Sequence, residues 1–453
     1  MKTIGIIAEF NPFHNGHLHL IRECKRALNA DYCVVVMSGD FVQRGAPALL
    51  DKFTRTQMAL SSGADVVIEL PIYYSLGSAE YFAKGAVSIL DKLGIVDYLC
   101  FGYESGELSY LEKIAELFNS EPDNFRDLLS SYTKKGLSFA SAREKAAECI
   151  LGKEISSVLN FPNNILAIEY LRALYSINSS IRPFTVKRYG EGYNSEIINE
   201  FASATAIRNV LLQKSHASRQ ADFAPTSEFP YTEHCKMHGN MNTECYDTCE
   251  SMSVINTSIS AVSIIKPSIP AECFELLSNY KYKYGNTASK ELDMLFGYKL
   301  ISSAAGSFTK YLDISEDMNN KIKAATSSYA GFDSFCRSLK SKNLAYSRIS
   351  RALMHILLDI KASNMQEYKE DNFTAYARIL GMKASCSEVL RMAKEVSSIP
   401  VVNRLKDADS ESTSLTPLQK RLLDETLVSS KIYSLLYKNR IQNEYSLKQL
   451  VIT

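Results

Sequence analysis

Apolar positions in the first hundred residues come in short unbroken runs, each followed by a stretch of helical spacing. Thr3 to Ala8 reads as a buried strand, and a helix follows from about Gly16 to Leu28. "YCVVVM", Tyr32 to Met37, is a second strand, and Lys52 to Ser62 is helical up to a stop at Gly63. Ala64 to Leu70 is a third strand ended by Pro71, Ser78 to Leu93 a helix ended by Gly94, and Ile95 to Phe101 a fourth strand. Strands apolar at every position, separated by helices, predict a parallel sheet covered on both faces. The fold class that follows is α/β, a Rossmann-like doubly wound sheet.

Farther along the pattern changes. Residues 105 to 180 are mostly helical, including Asn164 to Tyr175; Phe184 to Tyr189 is a strand and Ser203 to Leu212 a short capped helix. The stretch after it is polar, without a sustained period, and reads as an insertion or linker. The remainder is helical, as in "ISRALMHILLDI", with apolar positions three or four apart. The pattern divides the chain into a sheet domain over 1–212, a polar segment over 213–268 and a mainly helical domain over 269–453. It sets no oligomeric state.

A chain of 453 residues exceeds one ordinary core, which agrees with that division. Net charge is +1, so nucleic-acid binding has to come from a local patch rather than a global field. No apolar run reaches the length of a membrane span, and the N-terminal run stops at Glu9 with no cleavage site after it. The ten cysteines are scattered, several inside apolar segments, which fits reduced thiols and a cytoplasmic location.

Three of the seven histidines crowd into "EFNPFHNGHLHL", directly after the first strand. In open parallel sheets ligands bind at the carboxyl ends of strands, and a helix N-terminus attracts anions. Gly16 permits close approach to the backbone. His14 and His17, three apart, can point into one site and donate to phosphate oxygens as charge develops there. His19 points to a different helix face and reads as structural. The serine of "SATAIR", Ser203, can cap a helix, and Arg208 can pair with phosphate.

"HNGH" matches the H-x-G-H signature of the nucleotidyltransferase superfamily, and "SATAIR" resembles its S-x-x-x-I-R segment. The resemblance narrows with "GIIAEFNPFHNGHLHLI", "VVMSGDFVQRGAPALLDKFTRTQMAL", "DVVIELP", "FGYESG", "PNNILAIEYLRAL" and "YSRISRALMHILL". Together these are similar to the bacterial tRNA(Met) cytidine acetate ligase family. That resemblance implies that ATP and acetate form acetyl-adenylate, whose acetyl group passes to the wobble cytidine of elongator tRNA(Met). It implies an ATP site made of Ile7, Ala8, Glu9, Phe10, Asn11, Pro12, Phe13, His14, Asn15, Gly16, His17, Leu18, His19 and Leu20, with Gly102, Asn163 and Arg188. Ser203 and Arg208 join it through the superfamily segment, and His14 and His17 are the catalytic pair. Acetate is ionised at neutral pH and needs no base to attack phosphorus; the step needs positioning and charge stabilisation. Mg²⁺ is expected to bridge the phosphates. No protein metal-ligand set is assigned.

Other segments carry chemistry of their own. Ser334 to Leu358 holds Arg337, Lys340, Lys342, Arg348 and Arg351 and no acidic residue. With Tyr346 for stacking, Lys340, Lys342, Arg348 and Arg351 are expected to contact tRNA phosphates, and Lys187 to extend that basic surface. Gln43, Arg44 and Lys52 are expected to close over substrate or tRNA, and Glu104 to orient a metal or ribose. Cys235, His238, Cys245 and Cys249 are zinc-type residues, but their spacing is irregular for a finger. Two rival readings are a small-molecule adenylyltransferase, which the basic helical half argues against, and a non-catalytic RNA-binding protein, which the intact histidine pair argues against.

Overall fold

The computed structural model describes residues 1–188, 198–212, 262–284, 289–341, 344–409, 414–436, 443–447 and 449–453. The buried run Thr3–Ala8 forms β1, and the amphipathic Asn15–Leu28 forms α1, stopped by Asn29 in the left-handed region. β2 (Tyr32–Ser38) leads into a small antiparallel hairpin, β3 (Phe41–Val42) and β4 (Ala46–Pro47). α2 (Lys52–Ser61), capped by Asp51, precedes β5 (Val66–Leu70), and α3 (Ala79–Leu93) precedes β6 (Tyr98–Tyr103). α4 (Pro162–Ser176), β7 (Arg182–Lys187) and α5 (Ala204–Leu212) follow.

The fourth strand starts at Tyr98 rather than Ile95, because pairing with β1 begins at Ile4–Tyr98. Asp97 is instead spent on the strand's entry, its carboxylate accepting the Thr3 N–H at 2.7 Å.

Strand order is β10-β8-β5-β2-β1-β6-β7, where β8 is Ala377–Lys383 and β10 is Leu450–Ile452; β9 (Val401–Val402) pairs with β8 off that path. The first five strands of the chain's own sheet, β1, β2, β5, β6 and β7, run parallel. β8 joins antiparallel to β5, with β9 and β10 parallel to it. The sheet is therefore mixed, and it does not end with residue 212. "ARILGMK" was hidden by its helical surroundings in the sequence, yet six of its seven residues are buried, and it covers the edge of β5. A helix from the same half, α6 (Tyr346–Leu357), buries Ile349, Leu353 and Ile356 and packs onto the β3–β4 hairpin. α7 (Pro417–Ser434) covers the carboxyl end of β5 on the same side, its Thr426 hydroxyl accepting the Ile72 N–H.

The chain leaves β1 for β2 on one side and later returns to β6 on the other. The crevice between the carboxyl ends of β1 and β6 is the topological switch point, where open α/β sheets bind ligands. No helix among the described residues is long and apolar enough to cross a membrane. Among them Cys24, Cys33, Cys100, Cys273, Cys336 and Cys386 are buried thiols and Cys149 an exposed one. Cys235, His238, Cys245, Cys249 and Lys342 lie outside the described residues.

Candidate active site

A cavity of about 650 Å³ opens at that switch point, large enough for a nucleotide. Ile7, Ala8, Glu9, Phe10, Asn11, His14, His17 and Leu20 line it from β1 and α1, and Gly102 and Glu104 from β6. Asn163, Arg188, Ser203 and Arg208 complete it, together with Gln43 and Arg44 of the hairpin turn.

The two histidines are locked by the start of α1. His14 caps the helix, its Nδ1 accepting the Gly16 N–H at 3.1 Å. His17 returns the favour: its Nδ1 accepts the His14 N–H at 3.2 Å. Both Nδ1 lone pairs are thereby occupied, so in the neutral rings the proton sits on Nε2. The rings stand 3.8 Å apart at 33°; Phe10 packs edgewise against His17 and Phe13 packs tilted against it. Burial, with Arg188 and Arg208 nearby, lowers the His14 pKa to about 3. Burial, then His14 itself, holds His17 well below the usual histidine range. Both are neutral Nε2–H donors at physiological pH, which suits an anion without the cost of burying two imidazoliums.

Gly16 has a different role from the expected one. A Cβ there would lie 2.9 Å from His14 Cε1, so the glycine makes room for the His14 ring. The first-turn N–H groups of Gly16, His17 and Leu18 are already bonded to His14. With these three backbone N–H groups engaged, the helix start can offer an anion its imidazole Nε2–H groups. Pro12, Phe13, Asn15, Gly16, Leu18 and His19 lie off the cavity wall; Phe13 is core, and Asn15 Nδ2 donates to the carbonyls of Glu200 and Pro267. His19 packs edgewise against Phe201.

The neighbouring asparagines divide cleanly. Asn164 is fully buried; its Oδ1 accepts the Glu104 N–H, and its Nδ2 donates to the carbonyls of Ser105 and Val158. Asn163 lines the cavity with a buried Nδ2 that has no hydrogen-bond partner among the described residues. An amide without a partner at a cavity wall can donate to a ligand. Glu104 Oε2 accepts the Asn163 N–H at 3.0 Å, fixing the start of α4 against β6.

Gly102 lets Arg188 lie across β6, since a Cβ would come within 3.0 Å of Arg188 Cγ. Ser203 caps α5 by accepting the Ala206 N–H, and Arg208 Nη1 donates to the Asn11 carbonyl at 2.6 Å. Gln43 donates its N–H to Glu9 Oε1 at 3.1 Å.

Lys52 does not close over the cavity. It is fully buried, its ammonium 2.6 Å from Glu69 and 3.0 Å from Glu444, with Asp40 at 3.8 Å and Arg378 completing the cluster. Sequence spacing could not show this, because Arg378 and Glu444 arrive from the far end of the chain. Arg55 was also missed. It is fully buried and donates to the carbonyls of Glu9, Ser38, Gly39 and Leu50, pinning the ends of β1 and β2. Its place within "DKFTRTQMAL" gave only a helix position.

Of the basic segment, Lys340 and Arg348 are exposed, whereas Arg337 pairs with Asp333. Arg351 faces inward, 3.8 Å from Asp313, with Nη1 3.5 Å from the Gln43 carbonyl. The Tyr346 hydroxyl donates a hydrogen bond to Asp333 Oδ1.

The family model described as HIGH Nucleotidyl Transferase matches residues 1–448. The chain is 38% identical over 442 residues to the tRNA(Met) cytidine acetate ligase of Thermoanaerobacter sp. (strain X514), covering 97% of this chain and 96% of that one. It is 34% identical over 447 residues to the ligase of that name from Acetivibrio thermocellus, with the same coverage. The crystal structure of Thermotoga maritima TmcAL bound with alpha-thio ATP superposes with a TM-score of 0.83 at 26% identity over the full length of both chains.

Proposed function

We propose a function from this premise: the chain belongs to the tRNA(Met) cytidine acetate ligase family of HIGH nucleotidyl transferases. It is an ATP-dependent ligase. Acetate and ATP give acetyl-adenylate and pyrophosphate, and the acetyl group then passes to N4 of the wobble cytidine of elongator tRNA(Met), releasing AMP.

The observation that carries this reading is the locked pair of imidazoles. Two neutral Nε2–H donors, preorganised by the start of α1 and flanked by Arg188 and Arg208, suit a triphosphate whose α-phosphate gains charge under attack. In-line positioning and charge stabilisation are what adenylate formation requires, because acetate arrives ionised. Asn163 Nδ2 is suited to the nucleoside end. Apolar Ile7, Phe82, Phe101 and Tyr170 offer the acetyl methyl a dry wall. A magnesium ion would neutralise phosphate charge, taking most of its ligands from phosphate and water, and Glu104 is the carboxylate that fits it.

For tRNA, Arg348, Lys340 and Lys187 are all exposed, which supports their expected role in contacting phosphates. Lys342 belongs to the same segment. Arg351 acts from beneath it, holding the hairpin through Gln43. A tRNA substrate is consistent with a reaction in the cytoplasm.

The test supplies ATP, labelled acetate and total tRNA, then follows acetyl-adenylate and N4-acetylcytidine by mass spectrometry. Acetylation confined to tRNA(Met) is the expected result. Absence of acetyl-adenylate under every metal condition refutes the reading.

A further inference from the structure

Acyl transfer to cytidine has a proton to dispose of. The N4 lone pair attacks the acetyl carbonyl carbon, an N–C bond forms, and the bond from that carbon to the adenylate oxygen breaks. AMP leaves with the electron pair. One N4 proton must pass to a base, and a positioned base is worth about 10²–10⁴-fold in rate.

The signature histidines cannot take it. Each Nδ1 already accepts a backbone N–H, so the only other ring nitrogen carries a proton. Tyr170 lies buried in the cavity wall, where the phenolate is disfavoured, and the arginines are permanently charged. Two carboxylates remain among the described residues of the wall, Glu9 and Glu104.

Their settings differ. Glu104, like Glu9, has one held oxygen, Oε2, which accepts the Asn163 N–H, but its anchor is the first turn of α4 rather than the hairpin. Glu9 stands at the carboxyl end of β1. Its carbonyl is clamped by Arg55 Nη1 at 2.7 Å, and its Oε1 is held by the Gln43 N–H at 3.1 Å. Oε2 has no partner among the described residues and is not sealed from solvent. The hairpin that orients Glu9 is the one against which α6, bearing Arg348, is packed: Ser350 Oγ donates to the Gly45 carbonyl at 2.6 Å. One carboxylate thus combines a fixed oxygen, an open oxygen and a direct link to the face expected to receive tRNA.

We propose that Glu9 is the base of the second half-reaction, accepting the N4 proton on Oε2 as the acetyl group transfers. This rests on the ligase reading above and goes beyond it by assigning the proton.

The experiment measures both half-reactions in the same enzyme: acetyl-adenylate formation without tRNA, and single-turnover transfer from preformed acetyl-adenylate to tRNA(Met). Glu9→Gln keeps an oxygen to accept the Gln43 N–H but loses the base. Transfer is expected to fall about 10²-fold or more, and at least ten times further than adenylate formation. Glu9→Asp, which keeps a carboxylate, should transfer faster than Glu9→Gln. The proposal is overturned if Glu9→Gln transfers within about threefold of the parent rate, or loses both half-reactions in proportion. It is equally overturned if Glu9→Asp is no better than Glu9→Gln, or if Glu104→Gln shows the transfer-specific loss instead. Failure of the parent enzyme to acetylate tRNA would count against the ligase reading, a separate outcome.

Discussion

Ser350 donates its hydroxyl to the carbonyl oxygen of Gly45, 305 residues earlier in the chain, over 2.6 Å in a buried setting. The contact fastens α6 to the hairpin that lines the cavity. Its tightness requires glycine: a Cβ on Gly45 would lie 2.4 Å from the Arg351 nitrogen, and φ there is +83°. Gly45→Ala is therefore expected to cost about 1–3 kcal/mol and to lower tRNA acetylation more than adenylate formation. Denaturant melts with the two half-reaction assays check it; an equal loss in both assays argues against the link.

The two adjacent asparagines should separate stability from binding. Asn164→Ala strands the Glu104 N–H and two carbonyls, at about 1–3 kcal/mol for each group left unsatisfied. Asn163→Ala removes an amide with no partner among the described residues, so stability should stay within about 0.5 kcal/mol. Its KM for ATP should rise roughly tenfold, the worth of one ligand hydrogen bond. Equal destabilisation by both would contradict the assignment.

Lys52→Met tests the buried charge cluster. Removing the ammonium leaves Glu69 and Glu444 short of a partner, an effect of about 3–5 kcal/mol. Adenylate formation per folded molecule should change little, because Lys52 does not reach the cavity. Loss of activity without loss of stability would restore Lys52 to the substrate loop.

Acid should weaken the fold through His14. An unfolded histidine titrates near 6.5, whereas folded His14 does so at about 3. Between those values the unfolded chain binds a proton that the folded chain excludes. The stability is therefore present above pH 6.5 and is lost as pH falls toward 3, by up to about 1.4 kcal/mol per unit. Asp40 works the other way. Burial raises it to about 6, so its contribution is lost as pH rises from 3.8 to that value. The comparison with His14→Asn, which keeps a capping side chain, isolates the histidine. The advantage of the parent protein over this variant should shrink by about 1.4 kcal/mol between pH 7.5 and 5.5. A constant difference would mean that His14 is not held neutral.

The legible parts of the chain were those governed by local order. β1, β2, β5 and α1 to α3 follow from unbroken apolar runs, helical spacing and glycine stops, and the H-x-G-H spacing located the cavity. What stayed hidden depends on distant partners. β8 is a strand because β5 offers it an edge, and Lys52 is buried because Glu69, Arg378 and Glu444 converge on it. Arg348 and Arg351 are equivalent by spacing, yet Asp313 and the hairpin turn only Arg351 inward. Gly16 was legible as a glycine that something approaches, but that something is the His14 ring.

The most direct test of the central claim is acetate-dependent exchange of labelled pyrophosphate into ATP, measured without tRNA for the parent enzyme and for His17→Ala. Exchange that requires acetate and falls by about 10²-fold or more in His17→Ala is the predicted result. Exchange supported by a phosphorylated small molecule but not by acetate, or undiminished in His17→Ala, would contradict an acetate-activating site built on this histidine pair.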